Sequence, residues 1–222
     1  MEVTPASDRS LLVSFGDEIS PAIHRQVRAL TFRLLQLPEL RNVHPGYATV
    51  LVTFDPLRVR QDQLERAIRA HAEHLDEWAA GTRKLEIPVC YGGEFGPDLA
   101  DVARHNGLTP EQVVEIHSSV EYLVYFLGFS PGFPYLGGMP RSIAAPRLAS
   151  PRTRVPAGSV AIGGEQTGIY PVSSPGGWRI IGRTPRQLFH AERNPPALLA
   201  MGDAVRFISI ERERFERERD PG

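Results

Sequence analysis

Residues 122–185 read YLVYFLGFSPGFPYLGGMPRSIAAPRLASPRTRVPAGSVAIGGEQTGIYPVSSPGGWRIIGRTP and decide the fold of the second half of the chain. Between residues 128 and 184 lie 11 of the chain's 20 glycines and 8 of its 20 prolines, alternating with short apolar runs. Apolar runs bounded by turn residues are typical of strands joined by tight turns. Because the pattern continues over residues 121–210, it predicts a closed or nearly closed β-barrel.

The charge of this stretch is one-sided. Residues 128–184 contain a single acid, Glu165, and six arginines: Arg141, Arg147, Arg152, Arg154, Arg179 and Arg183. Guanidinium groups match the planar oxygens of carboxylates and phosphates, so a surface of this kind suits an anionic ligand.

The preceding residues predict a separate first domain, so the chain as a whole is assigned to the α+β class. Apolar alternation indicates strands at residues 10–15, 43–47, 49–54 and 84–89. Helical periodicity indicates one helix that begins at residue 21 and is ended by Pro38, and a second at residues 61–77. Ser20 is suited to cap the first helix and Pro21 to occupy its first position. The order βαββαβ is that of a ferredoxin-like domain, which we expect over residues 1–88.

The second domain, expected over residues 89–212, begins with two short helices. The first ends at Asn106 and Gly107; the second is capped by Thr109, has Pro110 at its first position and continues to about Ser118. Residues 213–222 form a charge-alternating tail, for which we expect a solvated helical end or disorder.

Composition excludes several classes of function. A formal net charge of -1 without a basic stripe argues against nucleic-acid binding. The single cysteine, Cys90, excludes an intrachain disulfide and is interpreted as a buried, inert thiol, while the seven histidines contain no HExxH pattern, so no metal site is expected. No apolar run reaches 18 residues and no N-terminal apolar region is present, which predicts a cytoplasmic protein. Lys84 is the only lysine, so no GxxxxGK[ST] phosphate loop exists.

Arg152 and Arg154 are the first candidates for ligand binding. They lie two residues apart in a segment predicted to be extended, which would place both guanidinium groups on one face as a clamp for carboxylate or phosphate oxygens. Arg183 is a third candidate. The alternative is that these are ordinary surface arginines.

The segment GGEQTGIY offers a second candidate site. Its glycines allow a close approach of the backbone to a ligand, and Glu165, Gln166 and Tyr170 could bind substrate or nucleotide. A plain hairpin would explain the glycines equally well.

Aromatic residues mark a third candidate surface, which lines a pocket or faces a partner. Exposed aromatic side chains on a loop are costly in water, so those of residues 129–135 fill a groove or meet another subunit. A neighbouring tryptophan is either a core anchor or a stacking surface, and the nearby histidine is either structural or catalytic. These residues are Phe129, Phe133, Tyr135, Ser174, Gly176, Gly177, Trp178 and His117.

Three strings, FLGFSPGFPYLGG, PRTRVPAGSVAIGGEQTGIYP and SPGGWRIIGRTP, closely resemble the family called allophanate hydrolase subunit 1. The resemblance extends from LLVSFGDEIS at residue 11 to GDAVRFISI at residue 202. Relatives include the corresponding carboxyltransferase subdomains of urea-processing enzymes. For the second domain, the resemblance implies a cyclophilin-like barrel.

The resemblance also implies a function. It points to the B subunit of an ATP-dependent 5-oxoprolinase, which converts 5-oxoproline, ATP and water to glutamate, ADP and phosphate. ATP would be shared with two partners, a C subunit that is itself similar to allophanate hydrolase subunit 2, and an A subunit, and the chain alone would be inactive. The alternatives are an inhibitor of a histidine kinase, as in sporulation, and a component of an allophanate- or urea-processing amidohydrolase.

Overall fold

The computed structural model describes residues 1–73, 75 and 81–219. The chain divides into two units, Met1–Gly81 and Thr82–Gly222. Within the described residues, no helix combines the length and the apolar character needed to cross a membrane.

The first unit is an antiparallel sheet with two helices. Its elements are β1 (Glu2–Ser7), β2 (Ser10–Ser14), α1 (Pro21–Leu34), β3 (Leu40–Pro45), β4 (Thr49–Phe54) and α2 (Gln61–His71). The strands lie in the order β1-β2-β4-β3. Alternate residues of β4 are buried, which gives this sheet one apolar face. The predicted cap of α1 is confirmed, since the Ser20 hydroxyl accepts a hydrogen bond from the Ile23 amide at 3.2 Å.

The predicted element order of the first domain is wrong. The described residues of this unit read ββαββα rather than βαββαβ, because the strand predicted at residues 84–89 belongs to the barrel. The edge position beside β2 is taken by the N-terminal strand β1, which the sequence pattern does not reveal. Pro5 within β1 is tolerated because an edge strand has one row of amides that needs no ladder partner. The predicted C-terminal end of the second helix, residues 72–77, falls partly outside the described residues.

The second unit confirms the predicted barrel. Its elements are β5 (Lys84–Tyr91), α3 (Leu99–Asn106), α4 (Pro110–Ser119), β6 (Glu121–Leu127), β7 (Pro134–Gly137), β8 (Arg152–Val155), β9 (Ser159–Gly163), β10 (Gln166–Ile169), β11 (Ser174–Gly176), β12 (Arg179–Arg183), β13 (Ala204–Ser209) and α5 (Arg212–Glu218). The closed barrel runs β10-β7-β6-β13-β5-β12-β9, and β8 and β11 pair as a separate ribbon. Strands β5 and β13 are parallel, whereas the other barrel pairs are antiparallel.

Both helix predictions at the start of this unit are confirmed. Helix α4 begins with a complete capping box, in which the Thr109 hydroxyl accepts from the Gln112 amide and the Gln112 side chain accepts from the Thr109 amide. Helix α3 ends at Gly107, whose φ of 67° is the left-handed conformation that glycine adopts without steric cost.

The charged tail is anchored rather than fully solvated. Helix α5 has exposed arginine and glutamate side chains, but Phe215 is 4% exposed and packs with Cys90, Ile210 and Phe95. The thiol of Cys90 is therefore buried, and burial raises its pKa. Residues 220–222 lie outside the described residues.

A fully buried histidine, His117, connects four elements of the barrel core. Its Nδ1 lies 2.8 Å from the Tyr91 hydroxyl and its Nε2 lies 2.9 Å from the Thr167 hydroxyl. Because the Thr167 hydroxyl donates to the Ala161 carbonyl, it accepts from Nε2–H, and Nδ1 accepts from Tyr91. The Tyr122 hydroxyl donates to the His117 carbonyl. Burial lowers the pKa of His117 from 6.5 to about 3, so the ring is neutral in the folded protein.

We predict that His117 makes the chain acid-sensitive. In the unfolded chain the imidazole takes up a proton as the pH falls through 6.5, whereas the folded chain does so only near pH 3. The contribution of the neutral His117 ring to the free energy of unfolding is thus fully present above pH 6.5 and is lost below it, by about 1.4 kcal/mol per pH unit. Urea denaturation at several pH values between 6.5 and 5 gives the free energy of unfolding as a function of pH. The slope of this pH dependence should be shallower by this amount for His117→Gln than for the parent chain. The exposed His105→Gln variant is the control and should keep the parental slope; equal slopes for both variants would contradict the assignment.

Candidate functional site

Among the cavities that the described residues form are two in the second unit. The aromatic cavity has a volume of about 310 Å³ and is lined by Phe129, Phe133, Tyr135, Arg147, Leu148, Pro151, Tyr170, Pro175, Gly176, Gly177 and Trp178. The arginine cavity has a volume of about 340 Å³ and is lined by Ala157, Gly158, Pro171, Val172, Ser173, Arg183, Thr184, Pro185, Arg186, Gln187, Phe189, Phe215 and Arg219. Both volumes are in the range of small-molecule sites.

The aromatic cavity is organised around the ring of Phe133. This ring makes edge-on contacts with Tyr135, Tyr170 and Trp178, at centroid distances of 5.2, 5.4 and 5.7 Å. Phe133 and Tyr170 are each 2% exposed, and Trp178 is 7% exposed. Edge-to-face packing holds each ring in one orientation, so the floor of the cavity is rigid.

Two glycines make this packing possible. The indole of Trp178 lies 2.6 Å from the point where a Cβ on Gly163 would stand, and the hydroxyl of Tyr170 occupies the corresponding place at Gly176. Side chains cannot approach that closely, so any other residue at either position would displace a ring. The glycines of GGEQTG and SPGG therefore serve ring packing as well as turn formation.

Arg147 is the charged residue that lines the aromatic cavity. Its guanidinium carbon lies 5.8 Å from the centroid of Trp178, a cation–π distance. Burial raises the pKa of Tyr170, and the backbone of Trp178 and the charge of Arg147 act in the opposite direction. Burial likewise raises the pKa of Tyr135. Both phenols are therefore protonated at neutral pH, and the cavity combines a cation, two hydroxyls and aromatic faces.

The clamp predicted for Arg152 and Arg154 is not formed. Arg152 Nη2 donates to Asp98 Oδ1 at 2.7 Å, while Asp98 Oδ2 accepts from the Ile180 amide at 2.7 Å. Arg154 Nε instead donates to the Ser173 hydroxyl at 3.2 Å. The two guanidinium groups thus have different partners, and neither lines the aromatic or the arginine cavity. Asp98, which the sequence pattern did not single out, is 4% exposed and fixes Arg152 to β12.

Other predicted site residues also lie outside both cavities. Glu165 is at the tip of the β9–β10 hairpin and forms an exposed ion pair with Arg141 at 3.3 Å. Gln166 begins β10, Ser174 begins β11 with its hydroxyl buried, and His117 lies in the core. The hairpin interpretation therefore accounts for GGEQ, and Tyr170 is the member of that segment that reaches a cavity.

The remaining predicted residues fall into the two cavities. The sequence-predicted aromatic and glycine residues all line the aromatic cavity, namely Phe129, Phe133, Tyr135, Gly176, Gly177 and Trp178. Arg183 lines the arginine cavity, together with Arg186 and Arg219, which no sequence signal distinguishes from other arginines. Arg147 belongs to the arginine-rich stretch but stands in no motif that would select it. Among the described residues, no group of three or more His, Cys, Asp or Glu side chains is arranged to hold a metal ion.

Phe129, at the rim of the aromatic cavity, has a strained backbone. Its φ is 64°, the left-handed conformation that bulky residues avoid, and its side chain is 67% exposed. Hydrogen bonds from the Ser130 amide to the Gly128 carbonyl and from the Gly128 amide to the Phe133 carbonyl close the loop around it. Strain of this kind persists where the surrounding structure holds it, commonly beside binding sites.

Known proteins resemble this chain over most of its length. Residues 1–199 match the family model described as carboxyltransferase domain, subdomain C and D. The chain is 42% identical to the B subunit of 5-oxoprolinase from Bacillus subtilis (strain 168), covering 96% of this chain and 95% of that protein. It is 45% identical to the B subunit of 5-oxoprolinase from Escherichia coli O157:H7, covering 90% of this chain and 92% of that protein.

More distant and structural relatives extend the same pattern. Urea amidolyase of Saccharomyces cerevisiae is 26% identical over 96% of this chain, which corresponds to 13% of that protein. The crystal structure of TTHA0988 superimposes with a TM-score of 0.82 at 38% identity. The match covers 91% of this chain and 40% of the TTHA0988 chain.

We predict that Phe129→Gly is more stable than Phe129→Ala, the reverse of the usual order. Both changes remove the ring and its contact with Phe133, but only alanine keeps a Cβ in the left-handed conformation, at a cost of about 1 kcal/mol. Urea denaturation of the two variants measures the difference. Should alanine be as stable as glycine, position 129 would carry no strain.

Proposed function

The chain belongs to the carboxyltransferase domain family, subdomains C and D, and on that basis we propose that it is the B subunit of a cytoplasmic, ATP-dependent 5-oxoprolinase. The observation that carries the proposal is the 42% and 45% identity to two B subunits of 5-oxoprolinase. Each alignment covers at least nine tenths of both chains, which is consistent with a common role.

The aromatic cavity is the part of this chain that suits the substrate. 5-Oxoproline is a five-membered lactam that bears a carboxylate. The rings of Tyr170 and Trp178 provide an apolar surface for the lactam ring, and Arg147, which lies over the ring of Trp178, provides a cation for the carboxylate. The protonated hydroxyls of Tyr135 and Tyr170 are donors for the lactam oxygen.

The same cavity has no complete set of catalytic groups. Its lining residues include no carboxylate, histidine or cysteine that could act as a base or nucleophile. Opening a lactam requires attack by water on a resonance-stabilised amide, and in the proposed reaction ATP hydrolysis drives this step. We therefore assign substrate binding to this chain, and the remaining catalytic groups and ATP binding to the A and C subunits.

A urea-processing role is the second candidate. It is supported by the similarity to urea amidolyase, which by its name also acts on an amide of a small polar molecule. The support is weaker because the identity is 26% and the match is to 13% of that protein. An assay with both substrates separates the two candidates.

Reconstitution tests the proposal. We predict that this chain, mixed with the A and C subunits of 5-oxoprolinase from the same organism, forms glutamate from 5-oxoproline with consumption of ATP. Omitting any one component should abolish the reaction, because in the proposed division of labour each component supplies a different part of the machinery. Glutamate formation and ADP release are measured together.

The control replaces 5-oxoproline by allophanate in the same mixture. Turnover of allophanate but not 5-oxoproline would transfer the proposal to the second candidate. Turnover of 5-oxoproline by the isolated chain would contradict the division of labour among the three components.

A further inference from the structure

The arginine cavity has an unusual charge balance. Three guanidinium groups line it, from Arg183, Arg186 and Arg219, and none of the described residues that line it is an acid. This concentration of positive charge occurs in a chain whose formal net charge is -1. Like charges held around one cavity repel one another, so an anion in the cavity would relieve an unfavourable interaction.

Arg183 is oriented toward such a ligand by its own contacts. Its Nε donates to the Ala157 carbonyl at 2.9 Å, which fixes the plane of the guanidinium group. Within the described part of the chain, no carboxylate lies within ion-pair distance of this side chain. The N–H groups of its two terminal nitrogens can therefore donate to an anionic ligand. Burial, followed by the positive charge of Arg219, lowers the pKa of Arg183.

Two carboxylates near the cavity pair mainly with arginines that do not line it. Glu94 forms an ion pair with Arg212 at 2.8 Å. Glu218 accepts from Arg214 at 2.7 Å through Oε1, and its Oε2 forms a long ion pair with Arg186 at 3.9 Å, beyond hydrogen-bonding distance. Residues 1–73, 75 and 81–219 therefore compensate the positive charge at the cavity only in part.

We infer that the arginine cavity is a binding site for a phosphate group. Three guanidinium forks suit a tetrahedral dianion that presents several acceptor oxygens, and Ser173 and Thr184 add hydroxyls to the lining. Phe189 and Phe215 form an apolar wall next to the arginines. The phosphate is either free or carried on an organic molecule that packs against this wall. The inference is separate from the substrate site proposed above, since it concerns different residues and is tested on the isolated chain.

The test is a calorimetric titration of the isolated chain with inorganic phosphate at constant ionic strength, with chloride as the balancing anion. Phosphate should bind more tightly than chloride. Arg219 is exposed just after α5, so Arg219→Gln should leave the fold intact. Because this change removes one charged donor from the cavity, it should weaken phosphate binding about tenfold. Arg183→Gln should weaken it at least as much, and its thermal melting is recorded in parallel because its bond to Ala157 is lost.

The matched control is Arg147→Gln, which removes the same charge from the aromatic cavity of the same unit and should leave phosphate affinity unchanged. Phosphate binding no tighter than that of chloride would overturn the inference. An equal loss of phosphate affinity in Arg147→Gln and Arg219→Gln would also overturn it. Phenyl phosphate distinguishes the two sources of the group. Tighter binding than inorganic phosphate identifies an organic phosphate that uses the apolar wall, and equal binding identifies free phosphate.

Discussion

The candidate site depends on the hydrogen bonds that the Asp98 carboxylate accepts. This carboxylate is almost fully buried, and its two oxygens bind Arg152 of β8 and the Ile180 amide of β12. A buried charge is tolerated only when it is paired and hydrogen-bonded, so these three groups hold one another in place. Because β8 pairs with β11, with Arg152 opposite Gly176, the same carboxylate ties one wall of the aromatic cavity to the barrel. Arg152 thus supports a wall of the aromatic cavity without being one of its lining residues.

The arginines of the second unit have two kinds of surroundings. Arg152 completes a buried pair, whereas Arg147, Arg183 and Arg219 line cavities without a carboxylate in the lining. The two cavities differ in character, since one is built from packed aromatic rings and the other from guanidinium groups. With the two proposed sites, the chain would bind 5-oxoproline in the aromatic cavity and a phosphate group in the arginine cavity. Its role in the proposed hydrolase would then be ligand binding, and its partners would supply the catalytic groups.

Local features of this fold can be predicted from the sequence, and long-range ones cannot. The capping box of Thr109 and Gln112 depends on residues close together in the sequence. The same is true of the alternation of short apolar runs and turn residues over residues 121–210, so both patterns can be recognised from the sequence. Strand β5 is assigned to the wrong unit from sequence because apolar alternation does not reveal a partner, and its partners are residues 182–183 and 204–209. Asp98 precedes α3 like an ordinary helix cap, but its partners lie 54 and 82 residues away. The aromatic residues of the site are predictable because exposed rings on a loop require an explanation.

The proposed role of the aromatic cavity is to hold the carboxylate of the substrate through Arg147. Its most direct test is the KM for 5-oxoproline of the assembled complex containing Arg147→Gln, compared with Arg141→Gln, an exposed arginine that lines neither cavity. We predict that Arg147→Gln raises KM about tenfold or more, while assembly and thermal melting stay unchanged. A KM equal to that of the parent and of Arg141→Gln would contradict this role.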